Sequence, residues 1–79
     1  MLADDEREIL EVMAVLIRRK DGAQQKSVST VEIAEGSCYE ITLVIEILEH
    51  LVRTGHVARV GDAEWGLTDQ GHRARTRTA

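Results

Sequence analysis

Residues 29–57 read STVEIAEGSCYEITLVIEILEHLVRTGHV, and the reading of this stretch decides the fold. Ser29 and Glu32 have the spacing of a capping box, in which the hydroxyl accepts from the amide of the third helical residue and the carboxylate reaches back. That predicts a short helix over 30–35 carrying Val31, Ile33 and Ala34, stopped by Gly36. Ser37 and Glu40 repeat the device and predict a long helix over 38–54. On it Ile41, Val44, Ile45, Leu48, Leu51 and Val52 fall within an arc of about 120° and form the expected core stripe. Gly55 ends the helix, as a glycine past a C-terminus does.

Working outward, residues 4–20 predict an amphipathic helix whose Ile9, Leu10, Val12, Met13, Leu16 and Ile17 share one face. Asp4 and Asp5 sit at its positive end, and Arg18, Arg19 and Lys20 sit at its negative end. Asp21-Gly22 closes it, and a polar connection runs to Lys26. Ser27-Val28 reads as a brief extended segment. On the other side, residues 56–68 predict a two-stranded hairpin turning at Gly61-Asp62-Ala63, with Trp65 as the aromatic that closes it over the helices. Thr68 is placed to cap a last short helix over about 69–75, within a terminal segment 69–79 that carries Arg73, Arg75 and Arg77. The fold class is therefore α+β and helix-rich: a three-helix core, a two-stranded hairpin and a short C-terminal helix.

Composition bounds the rest. Seventy-nine residues make one domain, 1–79, with a thin core. The 43% hydrophobic content suits a globular chain, and with Tyr39 and Trp65 as the two aromatics the core must be aliphatic. The apolar run from Val12 to Ile17 is far short of the ~20 residues that span a bilayer. The acidic start, Met-Leu-Ala-Asp-Asp-Glu, is unlike a secretory signal, so the expected location is the cytoplasm. One cysteine, Cys38, excludes an internal disulfide. It stands with His50, His56 and His72 in no zinc-binding spacing, so no metal and no cofactor is expected. No phosphate loop or nucleophile elbow occurs, Ser29 and Ser37 are explained by capping, and no catalytic residue is assigned: the chain is not expected to be an enzyme. The net charge of −4 is unevenly spread, because residues 50–79 hold 5 basic and 3 acidic side chains.

Val31-Glu32-Ile33-Ala34, Ile41…Val44…Leu48…Leu51, Arg53-Thr54-Gly55-His56-Val57 and Leu67-Thr68-Asp69-Gln70-Gly71 together resemble the winged helix-turn-helix domains of the MarR, PadR and ArsR groups of small regulators. The likeness spans about residues 3–72. It implies a protein of transcription-regulator type that binds duplex DNA, with the long helix in the major groove and the hairpin as a wing on the backbone. By position it implies DNA contacts from Tyr39, Thr42, Leu43, Glu46 and Arg53 on the long helix, Arg59 on the wing, and Arg73 and Arg75 on the C-terminal arm.

The outward face of the long helix departs from that pattern. It holds no Lys, Asn or Gln and one Arg, whereas Glu46 and Glu49 have the wrong sign for phosphate. The alternative is a protein-interaction module in which Tyr39, Leu43, Glu46, Glu49 and His50 bind a partner, a basic protein by charge. Leu43, and Val15 outside the core arc of the first helix, read either as scattered surface hydrophobes or as contact patches. With a core this thin they favour a homodimer.

Overall fold

A computed structural model describes residues 3–19 and 27–76, without the side chains of residues 75 and 76. Four helices, α1 (Asp4–Arg19), α2 (Thr30–Ser37), α3 (Ile41–Thr54) and α4 (Asp69–Thr76), are joined by three strands, β1 (Val28–Ser29), β2 (Val57–Gly61) and β3 (Glu64–Leu67). The architecture is α+β and helix-rich, with one antiparallel sheet ordered β1-β3-β2. The predicted Asp21-Gly22 cap and polar connection, and Arg77, lie outside the described residues.

The core is aliphatic around one indole. Ile9, Leu10 and Met13 of α1, Ile33 of α2, Val44, Leu48 and Leu51 of α3, and Val28 of β1 are fully buried, with Ile47, Val57 and Trp65 almost so. Each such side chain contributes roughly 1.5–3 kcal/mol relative to leaving it in water. The Trp65 Nε1–H donates to Thr30 Oγ1 at 2.8 Å, inside the protein. Backbone pairing seals the same corner, where Thr30 N donates to the Ala63 carbonyl at 3.0 Å.

Three sequence expectations need correction. The two-stranded hairpin forms, but the sheet does not end with it. Val28 and Ser29 pair with Trp65 and Glu64 as a third strand, and Ser27 Oγ donates to Glu64 Oε1 at 2.9 Å beside them. The second capping box does not form. α2 runs on through Gly36 to Ser37, and α3 begins at Ile41 with Glu40 as an N-cap that makes no side-chain bond. Local competition explains this: Ser37 Oγ donates to the Ala34 carbonyl and accepts from the Tyr39 amide, while Cys38 turns left-handed at φ 65°. Gly36 lies inside the helix, where α1 passes so close that a Cβ would lie 2.8 Å from Val12 Cγ1.

The third correction concerns the buried face of α3. Ile41 and Ile45 were expected inside but are 44% and 36% exposed, while Ile47 is 6% exposed. The buried set Val44, Ile47, Leu48 and Leu51 is centred about 50° from the expected stripe at 100° per residue. The helix is thus rolled toward Ile47.

The first capping box forms in both directions, Glu32 N to Ser29 Oγ at 3.1 Å and Ser29 N to Glu32 Oε1 at 3.0 Å. At the far end of α3, Gly55 adopts φ 88°. The His56 amide bonds the Leu51 carbonyl while the Gly55 amide bonds that of Val52, a Schellman motif.

Leu67-Thr68-Asp69-Gln70-Gly71 then acts as a clasp. Thr68 Oγ1 donates to the Gly55 carbonyl at 2.6 Å and accepts from the Gly71 amide at 3.0 Å, capping α4 while tying it to the exit of α3. Gly71 is buried so tightly that a Cβ would fall 2.1 Å from the His56 carbonyl oxygen. β2 and β3 pair from Val57↔Leu67 to Arg59↔Trp65, and a bulge then passes over Val60, which points to solvent.

Two outcomes are expected. Gly71→Ala forces α4 off a backbone carbonyl and costs about 1–3 kcal/mol of overpacking strain, measured by urea unfolding. Thr30→Val preserves shape but strands the indole N–H, costing about 1–3 kcal/mol in the same assay. An unchanged midpoint for Thr30→Val would mean that the bond is not structural.

Candidate docking face

α3 is the element that presents residues rather than burying them on all sides. Its fixed inner face, Val44, Ile47, Leu48 and Leu51, leaves three outward strips. Thr42, Glu46, Glu49 and Arg53, spaced i, i+4, i+7, i+11, form the central strip, and all are exposed. Ile41 and Ile45 form one edge. Leu43, 39% exposed, and His50 form the other.

The face is electrically mixed. Glu46 and Glu49 occupy its middle, with Arg53 one turn beyond Glu49. His50 Nε2 lies 3.0 Å from Glu6 Oε2 of α1, and Glu6 Oε1 accepts from the Ala3 amide at 2.9 Å. The His50 edge is therefore fastened to the start of α1.

The expected site residues divide. Thr42, Leu43, Glu46, Glu49, His50 and Arg53 share the outer surface of α3 as expected. Tyr39 does not join them as a free ring: it is half-buried in the turn and packs on the core. Arg59 is exposed, but its guanidinium lies 5.1 Å from the centre of the Trp65 ring and donates to the Asp62 carbonyl at 3.4 Å. A residue held in this way must give up a cation–π contact before it can reach a phosphate. Arg73 is exposed on α4, and Arg75 lies on the same helix with its side chain outside the described atoms.

What the sequence missed is apolar. Ile41 and Ile45 on α3, Val31 on α2 and Val60 on β2 are all exposed. The two isoleucines fit the core arc by periodicity, and only the roll of the helix moves them out. Val60 stands three positions from the buried Val57, so alternation along β2 already turns it to the opposite face, and the bulge begins beside it.

Among the described residues, no three His, Cys, Asp or Glu side chains come together as a metal site. No described helix is long and apolar enough to cross a membrane. Cys38 is a free, exposed thiol at the left-handed end of α2. Compared with known proteins, the chain matches no family model, and no curated protein is significantly similar to it in sequence.

Ile45→Glu should leave stability within about 0.5 kcal/mol of the parent, as a surface substitution does, whereas Leu48→Ala should cost about 2–5 kcal/mol. Thermal unfolding of the two variants checks the roll of α3; a large loss for Ile45→Glu would restore that residue to the core.

Proposed function

We propose that this chain is a winged helix-turn-helix protein of transcription-regulator type, acting by docking rather than catalysis, with α3 as its recognition helix and the β2–β3 hairpin as its wing. The observation that supports the reading is the succession of α2, the turn at residues 38–40, α3 and the hairpin, with a full face of α3 left exposed. On duplex DNA, Thr42 and Glu46 would face base edges, a glutamate accepting from a cytosine amino group, while Arg53 and Arg73 neutralise phosphates. So few cations make the binding weak and strongly dependent on salt.

A second reading is favoured by a specific observation. The exposed face of α3 combines Ile41 and Ile45 with Glu46 and Glu49, and Arg59 is folded onto Trp65. An apolar edge beside carboxylates suits a basic, amphipathic protein segment better than a phosphate backbone.

One titration separates them. If DNA is bound, a short duplex at low salt shifts the amide resonances of Thr42, Glu46, Arg53 and Arg73. Arg53→Ala then weakens binding about uniformly across sequences and lowers the salt slope by about 1. If these resonances stay still under duplex but move with a Lys/Leu amphipathic peptide, and Leu43→Glu or Ile45→Glu removes that response, the protein-docking reading replaces the first.

A further inference from the structure

We propose that the cleft between α1 and the end of α2 is a binding site for a small amphipathic amine, with its ammonium between Glu8 and Glu11 and its hydrocarbon body on Val12, Val15 and Leu16. Neither the outer face of α3 nor the hairpin takes part, so the role given to them does not bear on it.

The cleft lies where α1 crosses the end of α2. There Gly36 leaves bare backbone beside two aliphatic side chains: a Cβ on it would lie 2.8 Å from Val12 Cγ1 and 4.0 Å from Leu16 Cδ1. The opening has a volume of about 260 Å³. Val12 and Leu16 line it half-buried, and Val15 lines it 40% exposed. Pockets for drug-sized ligands begin at about 300 Å³, so this one suits a smaller molecule. Its apolar lining covers residues 12–16, about 6 Å of helix, which one short hydrocarbon chain spans.

Charge selects the head group. Glu8, Glu11, Val12, Val15 and Arg19 share one face of α1, so two carboxylates stand at one end of the apolar stretch and a guanidinium at the other. Glu8 and Glu11 are both exposed and lie one turn apart, where like charges repel, and a cation between them relieves that repulsion. The end of α2 adds the same sign. Gly36 is its last residue but one, at the negative end of the helix dipole, and no basic residue in the last turn offsets it. Arg19, about 12 Å along the axis from Glu11, sets the direction by repelling an ammonium from its own end. An ammonium carries donors enough for both carboxylates. A carboxylic acid of the same length would have only Arg19 to pair with, against both glutamates.

The test is an amide-resonance titration of the full chain with hexylammonium, hexanol and hexanoate at one ionic strength. Hexylammonium should shift the resonances of Glu11, Val12, Val15, Leu16 and Gly36 with a dissociation constant on the order of a millimolar, the strength open to so small a ligand. Hexanol should bind about threefold more weakly and hexanoate about tenfold more weakly. The double variant E8Q/E11Q, changed at two exposed positions and checked for folding by circular dichroism, should lose the preference for the amine over the alcohol. Any of these results overturns the site: no movement of the cleft resonances below about 30 mM hexylammonium, an alcohol that binds as well as the amine, a carboxylate that binds better, or a preference that survives in E8Q/E11Q. Shifts of the same resonances that follow protein concentration without any probe also overturn it, because another copy then covers the cleft.

Discussion

The bond from the Trp65 indole N–H to Thr30 Oγ1 sits where sheet and helices meet, and the rest of the molecule is arranged around keeping both partners dry. Thr30 is the first residue of α2, and Trp65 lies on the central strand β3. Fixing that pair sets the sheet against the helices in one register. It also explains why two residues suffice for β1: Val28 and Ser29 bring the start of α2 to the strand that carries the indole. A buried N–H without an acceptor would cost what several weaker contacts supply, so the pair specifies the arrangement more than it adds net stability.

Two glycine-centred contacts extend that arrangement to the end of α3 and to α4. Gly55 turns the chain out of α3 through a left-handed residue, and Gly71 lets α4 lie on the His56 carbonyl just beyond it. Thr68 bridges them with one hydroxyl that donates to Gly55 and accepts from Gly71. The hairpin is therefore clamped at its base to the end of α3, while near its turn the Ala63 carbonyl is held by the Thr30 amide and Glu64 by Ser27. The exposed residues of α3 take their orientation from these ties and from the buried inner face of the helix.

Much of this was legible in the residues themselves. Helix α1, the Ser29–Glu32 box, the Gly55 stop, the hairpin and the Thr68 cap follow from local chemistry that acts over a few positions. The errors came from non-local choices. β1 is a partner only because residues far along the chain come to meet it, and two residues carry no periodic signal. Ser37 had two chemically reasonable uses, and the turn geometry around Cys38 chose the one that sequence spacing does not favour. Ile41, Ile45 and Ile47 are equivalent in hydrophobicity, so only packing against α1, α2 and β2 could decide which faces inward. The outer face of α3 was legible in its charges and hidden in its apolar edge for the same reason. Periodicity says that a helix has an inside, and its neighbours say where the inside is.

The bulge at Val60 has a bearing on how the chain behaves in a concentrated solution. β2 is one edge of the sheet and the two-residue β1 is the other. An open strand edge is a template onto which a stranger's backbone can add, and long flat edges are where fibrillar growth starts. Here one border is too short to offer a repeating ladder, and the other is kinked out of step between Arg59 and Gly61. The irregularity that spoils the alternation of residues 57–61 thus also denies neighbouring chains a straight edge to copy.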